Sequence, residues 1–571
     1  MTSLRLPHTA LFLLGTLPFA SAAPTLTKLH DFNNTGVLLG VQGSYDTPIL
    51  IGSDLWFTTD KGGDNGFGTL SSFKLTNNTV TKRVSLDNET GNTPQSAPTV
   101  SDGFLYYTTT RGGTGDRGTL NGYDLTGSTN TVLWNSLSNS PTTNPNTLPG
   151  NVAVIDRGAL GKDVYILTQG GGLGAAIGTI QRYNTLTGIV TQVHAFGNTP
   201  DSRQPFKGFT VVGNKLYFTT FTGGNVSPSG HATGSATNGC GTLNEFDVTV
   251  RDGEVYTQLA LMPNEDASFR FLAHNPYYRA ADHSLYFGSV GTNSSPGALM
   301  KFDLTLRKLS VLHEIMDDQT TAAPVRYPEG KAIYGSVIEW NRALYYCTFQ
   351  GGANAPTGST AGGGTINRYN LDSATHEVLF NLDISTGNNN GGEVRGGFLH
   401  NGSATFPAFY LITHQGGAND HGTILRMNLD LPLPASAYEN WLAANPGISG
   451  ANTAPAADAD EDGIPNSSEF AYGTDPASGA NPALSVAVPS ETGLEIRWTA
   501  RTDNSVTYTV TGSPSLGVDS PWTPVALPVE VIAEPDVVVP SGYERRRVTI
   551  PVTEVSGFFR VEANIPKTSL P

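Results

Sequence analysis

Short apolar runs with β-branched and aromatic residues recur along most of the chain, and nearly every run ends in a cluster of threonine and glycine. The clearest group of runs predicts four strands, at 48–52, 55–59, 69–75 and 80–86. Alternation of apolar and polar positions along them is imperfect, which fits strands covered on both faces rather than on one. A charged or disordered chain would lack these runs; here aromatics make up 9% of residues and charged residues only 14%.

The runs belong to a repeat. An aromatic strand, Leu55-Trp56-Phe57-Thr58-Thr59, leads to Gly62-Gly63, a variable loop and Gly68-Thr69-Leu70. The same order returns at Leu105-Tyr106-Tyr107 with Gly112-Gly113 and Gly118-Thr119, at Val164-Tyr165-Ile166 with Gly170-Gly171 and Gly178-Thr179, and at Leu216-Tyr217-Phe218 with Gly223-Gly224 and Gly241-Thr242. A fifth copy, Leu285-Tyr286-Phe287 with Gly297-Ala298, lacks the glycine pair. The sixth and seventh are Leu344-Tyr345-Tyr346 with Gly351-Gly352 and Gly364-Thr365, and Phe409-Tyr410-Leu411 with Gly416-Gly417 and Gly422-Thr423. Successive copies are 50 to 67 residues apart, a period that suits a four-stranded propeller blade. The seventh copy lacks a fourth strand after 424–430, and the missing phrase stands at 26–32 instead. The sequence therefore predicts an all-β, seven-bladed β-propeller closed by its own N-terminal strand, which leaves no open edge.

Over roughly 26–430 the repeats resemble the GloVer tandem repeats of secreted bacterial proteins, and they are kelch-like in placing Gly-Gly after the second strand. The resemblance implies a propeller and says little of activity, because propellers host binders and enzymes alike. The repeated glycines are read as turn residues.

The remaining sequence divides the chain into residues 1–22, 23–431, 432–482 and 483–571. Arg5, the apolar run 11–19 and Ala20-Ser21-Ala22 form the pattern of a signal peptide, which predicts a secreted, extracellular or cell-surface protein. A proline-rich boundary near 431–436 is followed by a short helix at 437–445 with Tyr438 and Trp441. The segment 458–469 then places Asp458, Asp460 and Asp462 at positions 1, 3 and 5 of a calcium loop, Gly463 at 6, the Ile464 carbonyl at 7 and Glu469 at 12. Pro465 departs from intracellular sensor loops, and with Gly473-Thr474-Asp475-Pro476 the segment resembles thrombospondin-type-3 or dockerin-like linkers. Ca²⁺ is the cofactor expected there. Strand-like runs at 493–498, 506–511, 546–551 and 558–562 resemble a small C-terminal β-sandwich accessory module.

Charge and cysteine content narrow the chemistry. A net charge of −16 repels phosphate backbones and argues against nucleic acid as a partner. Cys240 and Cys347 are too few for a thiolate cluster; one buried thiol and one loop thiol is the simplest reading, with a single disulfide as the alternative. No nucleophile elbow, zinc-protease motif or phosphate loop is present. The longest loops fall in copies four to six, on the side shared by the Gly-Gly loops and the segments that enter each blade, and this side is expected to bind an extracellular glycan or surface polymer. Ligand-binding candidates are Arg270, Arg326, Lys331 and Arg395, with Glu393, His414, Asp420 and His421 nearby in sequence. The alternative is a polysaccharide lyase acting on a uronic-acid polymer, for which His231, Arg326 and Tyr327 supply a proton carrier and a cation.

Overall fold

The computed structural model describes residues 24–33, 44–136, 147–148, 150–171, 177–197, 201–224, 239–263, 269–292, 295–318, 327–353, 362–385, 387, 389–403, 406–430, 436–448, 450–480, 483–515, 521–551 and 557–566. Residues 1–22, where a signal peptide is expected, and the candidates His231 and Arg326 lie outside them.

The chain is all-β, with two short α-helices among the described residues. Each repeat forms one antiparallel sheet. The first sheet is Ile49–Ile51, Asp54–Thr59, Thr69–Lys74 and Thr79–Ser85, paired in chain order. The next five have first strands at Thr99, Ala153, Thr210, Tyr277 and Ile338 and follow the same order; the fourth carries one extra short strand, Ser202–Pro205, that also pairs with its second strand. In the seventh, Leu399–His400, Ala408–Ile412 and Thr423–Asn428 are completed by Thr25–Asp31, antiparallel to the strand that ends at Asn428.

That N-terminal strand occupies a fourth-strand position in detail. Each pairing of third with fourth strands shifts register by one residue at the same place: at Leu70/Ser71, Leu120/Asn121, Ile180/Gln181, Leu243/Asn244, Leu299/Met300 and Ile366/Asn367. The N-terminal strand shifts between Lys28 and His30. A shared bulge, with Leu29 as the extra residue, sets the twist of every outer strand alike.

The repeat motif is explained by a buried contact. In six sheets a threonine at or just past the end of the second strand's core meets the threonine that opens the third, as in Thr59–Thr69 (2.9 Å), Thr109–Thr119 (2.8 Å), Thr168–Thr179 (2.7 Å) and Thr413–Thr423 (3.0 Å). In the fifth sheet Ser289 Oγ instead accepts from Ala298 N (2.9 Å). The glycine just before adopts a left-handed φ, +103° at Gly68 and +100° at Gly118, and a Cβ there would lie 2.2 Å from the carbonyl oxygen of Thr59 or Thr109. Only glycine lets the loop return this closely.

Packing between the sheets is cyclic. One apolar cluster joins the first and second sheets through Trp56, Leu70, Leu105 and Tyr107, and similar clusters join each successive pair. The ring is closed by Phe57 and Phe73 of the first sheet packing on Tyr410, Ile412 and Ile424 of the seventh. Cys240, in the loop before the third strand of its sheet, and Cys347 both lie buried in these clusters with no disulfide between them, so the alternative disulfide is corrected. Each cysteine fills a space among apolar side chains.

Beyond the ring, Ala437–Ala444 is a helix capped by Ser436, whose hydroxyl accepts from Glu439 N while the Glu439 side chain accepts from Ser436 N. A four-stranded sheet containing Gly493–Arg501 and Tyr543–Pro551 and a three-stranded sheet containing Thr507–Ser513 and Phe558–Asn564 share one core with that helix, built around Tyr438, Phe470, Trp498 and Val510. No helix among the described residues is long and apolar enough to cross a membrane.

Candidate functional site

The chain enters each sheet's first strand through a short segment, and these segments meet at the centre of the ring. The equivalent residues are Asp46, Ser96, Gly150, Lys207, His274, Gly335 and Gly396. Where they are glycine, there is no room for more: a Cβ on Gly335 would lie 1.8 Å from Gly396 O, and one on Gly150 2.0 Å from Gly208 N. The three large side chains form a buried cluster that fills the centre. Lys207 Nζ lies 3.5 Å from Asp46 Oδ2 and donates to the carbonyls of Tyr45 and Gln95, the latter at 3.3 Å. His274 Nε2 lies 3.2 Å from Asp46 Oδ1, which also accepts from Thr47 N at 2.8 Å. Burial pushes the Asp46 carboxyl up, but Lys207 and His274 outweigh it and hold the group well below the usual carboxylate range. Burial likewise holds the Lys207 ammonium below its ordinary value despite Asp46.

Next to this plug lies an aromatic and charged site. The Arg395 guanidinium carbon sits 4.3 Å from the Tyr45 ring centroid and 4.6 Å from that of Phe349. Its Nε has no hydrogen-bond partner among the described groups. Tyr334 packs edge-on to Phe349 at 5.1 Å, and the two form one wall of a cleft of about 300 Å³ that also includes Phe271, Lys331 and Gln350. On the other side of Arg395, Tyr45 meets His414 edge-on at 5.0 Å. Burial holds the His414 imidazole below its ordinary pKa, opposed by Glu393, whose Oε2 is 3.7 Å from His414 Nδ1.

Asp60 completes the group. It directly follows the last threonine of its strand, the place that Phe349 and His414 hold in the sixth and seventh sheets. Burial pushes its carboxyl up to about 7, against the opposing pull of Lys61 and Arg395, and Oδ1 has no hydrogen-bond partner among the described groups. A carboxyl at that value exchanges a proton near neutral pH, and the His414 imidazole, which like Asp60 feels the charges of Arg395 and Lys61, offers a second proton carrier.

The sequence candidates separate. Arg395 lies at the heart of the site, and Lys331 lines the cleft with its ammonium 4.9 Å over the Tyr327 ring. Arg270 is fully buried, and its neighbour Phe271, not its own side chain, forms cleft wall. Tyr327 is buried, its carbonyl accepting from Gly330 N and Gly352 N, both at 2.9 Å. His231 and Arg326 lie outside the described residues, so their convergence with Tyr327 stands as an expectation. Sequence reading passed over Tyr45, Asp46, Asp60, Lys207, His274 and Phe349. Aligning the repeats three residues before each first strand exposes Asp46, Lys207 and His274, because they interrupt a column otherwise held by glycine and serine; the column after each paired threonine, which holds Asp60 and Phe349, is mixed and gives no such signal.

In the C-terminal region, single carboxylate oxygens of Asp458, Asp460 and Asp462 lie within 4.8 Å of one another. The loop is wound by backbone donors: Gly463 N to Asp458 Oδ2 (2.8 Å) and Ile464 N to Asp462 Oδ1 (2.7 Å). Burial, then the charges of Asp460, Asp462 and Asp458, push the Glu469 carboxyl up to about 7. Glu469 Oε2 and Asp460 Oδ2 are buried and have no hydrogen-bond partner among the described groups. Three crowded hard oxygen donors, with the Glu469 carboxyl near enough to feel their charge, suit Ca²⁺.

No family model matches the chain, and no curated protein matches it. Among solved structures, an oligogalacturonate lyase from Vibrio parahaemolyticus is 9% identical, covering 71% of this chain and 93% of its own, with a TM-score of 0.38. TolB from Acinetobacter baumannii is 10% identical, covering 65% of this chain and 78% of its own, with a TM-score of 0.29. With TM-scores this low, neither protein's properties bear on this chain.

Proposed function

We propose that the seven sheets are the blades of a β-propeller, that residues 483–571 form a β-sandwich joined to it by a calcium-binding linker, and that the exported protein binds an acidic extracellular glycan at the centre of the ring. The observation that carries the reading is Arg395 held between the Tyr45 and Phe349 rings at the edge of the cleft. Aromatic faces receive the apolar face of a sugar ring, and a guanidinium pairs with a planar carboxylate through parallel hydrogen bonds. The Asp46–Lys207–His274 cluster supports the reading by fixing the entry segment that carries Tyr45, whose carbonyl accepts from Lys207 Nζ.

A second reading, a lyase acting on a uronic-acid polymer, is favoured by Asp60 and His414. Such an elimination needs a cation against the carboxylate and a group that accepts the carbon-bound proton, for which Arg395 and Asp60 are suited. A panel of acidic and neutral polysaccharides, assayed for binding and for the ultraviolet absorbance of new unsaturated ends, separates the two. Binding without new absorbance supports the binder, new absorbance supports the lyase, and neither result with any acidic polymer defeats both.

A further inference from the structure

A second cluster lies away from the central site, at the outer edge of the ring between the fifth and sixth sheets. His313 on Lys308–Glu314, His376 on Thr375–Asn381 and Glu329 in the intervening segment bring two imidazole nitrogens and a carboxylate oxygen within 4.8 Å of one another. His313 Nε2 is 2.9 Å from Glu329 Oε2, and His376 Nδ1 is 3.3 Å from Glu329 Oε1. The two imidazoles stack at 4.1 Å.

The surrounding hydrogen bonds fix which nitrogen of His376 carries its proton. Thr365 Oγ1 donates to Glu329 O (2.7 Å), so it accepts from Asn367 Nδ2 (2.8 Å). Asn367 Oδ1 therefore faces His376 Nε2 (3.2 Å), and Nε2–H donates to it. In the neutral ring Nδ1 then presents a lone pair to Glu329 Oε1. Glu329 Oε2 is meanwhile held by Met316 N at 2.8 Å. Two acceptors face each other unless a second proton or a cation lies between them.

The repeat supplies internal controls. The places equivalent to His376 are Val80, Asn130, Val190, Tyr256, Leu309 and Leu26, each opposite the third-strand residue that matches Tyr369. At the junction of the third and fourth sheets, His194 stacks on Tyr256 at 4.2 Å, in the geometry that His313 and His376 share. A histidine pair is thus not something the scaffold requires. In the second sheet, Tyr107 Oη donates to Asn130 Oδ1 (2.8 Å), whereas the equivalent buried Tyr346 hydroxyl beside His376 has no hydrogen-bond partner among the described groups.

We propose that His313 Nε2, His376 Nδ1 and Glu329 form a binding site for a divalent first-row transition ion of the zinc class. Nitrogen and carboxylate donors around a tetrahedral zinc ion stand about 3.3 Å apart, close to the two contacts seen here. The Asn367 amide orients His376 from behind, as an outer partner of a metal-bound imidazole does. With three protein ligands, the fourth position is left to water or to a ligand. The hard oxygen donors of the 458–469 loop set it apart from this site in metal preference.

The test uses the full chain with Co²⁺ as a visible-absorbing probe, competed by Zn²⁺ in excess Ca²⁺. One equivalent should bind with the absorbance of a nitrogen-ligated four-coordinate site. His313→Gln and His376→Gln should abolish it, Asn367→Ala should weaken it roughly tenfold, and Asp462→Ala should leave it unchanged. X-ray absorption of the zinc-loaded parent, showing two imidazoles in the first shell, keeps the test independent of how the variants fold. Absence of binding, binding that survives both histidine substitutions, binding lost in Asp462→Ala, or a first shell without imidazole would each overturn the proposal and leave a protonated histidine–glutamate pair.

Discussion

His274 Nε2 lies 3.2 Å from Asp46 Oδ1 across the centre of the ring, although 228 residues separate them in the chain. The contact joins the entry segments of the fifth and first sheets, and Lys207 of the fourth sheet closes the cluster.

Asp46→Asn or Lys207→Met should each leave the other partner as an uncompensated buried charge, at a cost of about 3–5 kcal/mol. Denaturant unfolding monitored by tryptophan fluorescence measures this. Asp46 is held below its unfolded value, so its stabilisation is present above about pH 4 and fades as pH falls further. The stability difference between parent and Asp46→Asn should therefore shrink in acid. A difference that stays constant down to low pH would contradict the pairing.

Asp60 has the opposite sign. Its folded value of about 7 lies above the unfolded one, so its relative contribution is intact below about pH 4 and is lost as pH rises through 7. Asp60→Asn should accordingly be more stable than the parent at pH 8, with the advantage vanishing in acid. Thermal melts across this range read the crossover directly.

Removing residues 24–32 should do more than shorten the chain. The seventh sheet would lose its fourth strand, exposing the Thr423–Asn428 edge, and Phe32 would leave the cluster that closes the ring. The shortened protein should show a much lower melting temperature and a tendency to aggregate. Adding the peptide back should restore part of the loss, and a melting temperature equal to that of the parent would contradict closure.

These elements differ in how far the sequence disclosed them. The closing strand was legible because His30 and its neighbours repeat a phrase seen at His194 and His313, and a repeat reports on itself. The threonine pairs were legible as a pattern, though their reason, a buried hydroxyl contact beneath a left-handed glycine, appears only in three dimensions. Of the central site, Arg395 was legible as a loop cation. Asp46, Lys207 and His274 were not, because each sits singly in a different repeat and gains meaning only when the ring brings the three together. The value of about 7 at Asp60 arises from burial, which no spacing of residues reveals.

Calcium should raise the melting temperature of the C-terminal region, since the ion favours the folded loop. Glu469 takes up a proton near pH 7 when no cation is bound, so calcium affinity should fall as pH drops below that value. Calorimetric titration at pH 6 and pH 8, with Asp462→Ala as the control, checks both points; pH-independent affinity would contradict the role of Glu469.

The central claim is that Arg395, set against Tyr45 and Phe349, receives a sugar carboxylate. Calorimetric titration of parent and Arg395→Ala with a uronic-acid oligosaccharide and its carboxyl-reduced neutral counterpart tests it most directly. The account predicts that the parent binds the acidic form only, and that Arg395→Ala weakens this by about 10- to 100-fold, the range for a hydrogen bond to a charged group. Equal binding of the two oligosaccharides, or acidic binding unchanged in Arg395→Ala, would contradict it.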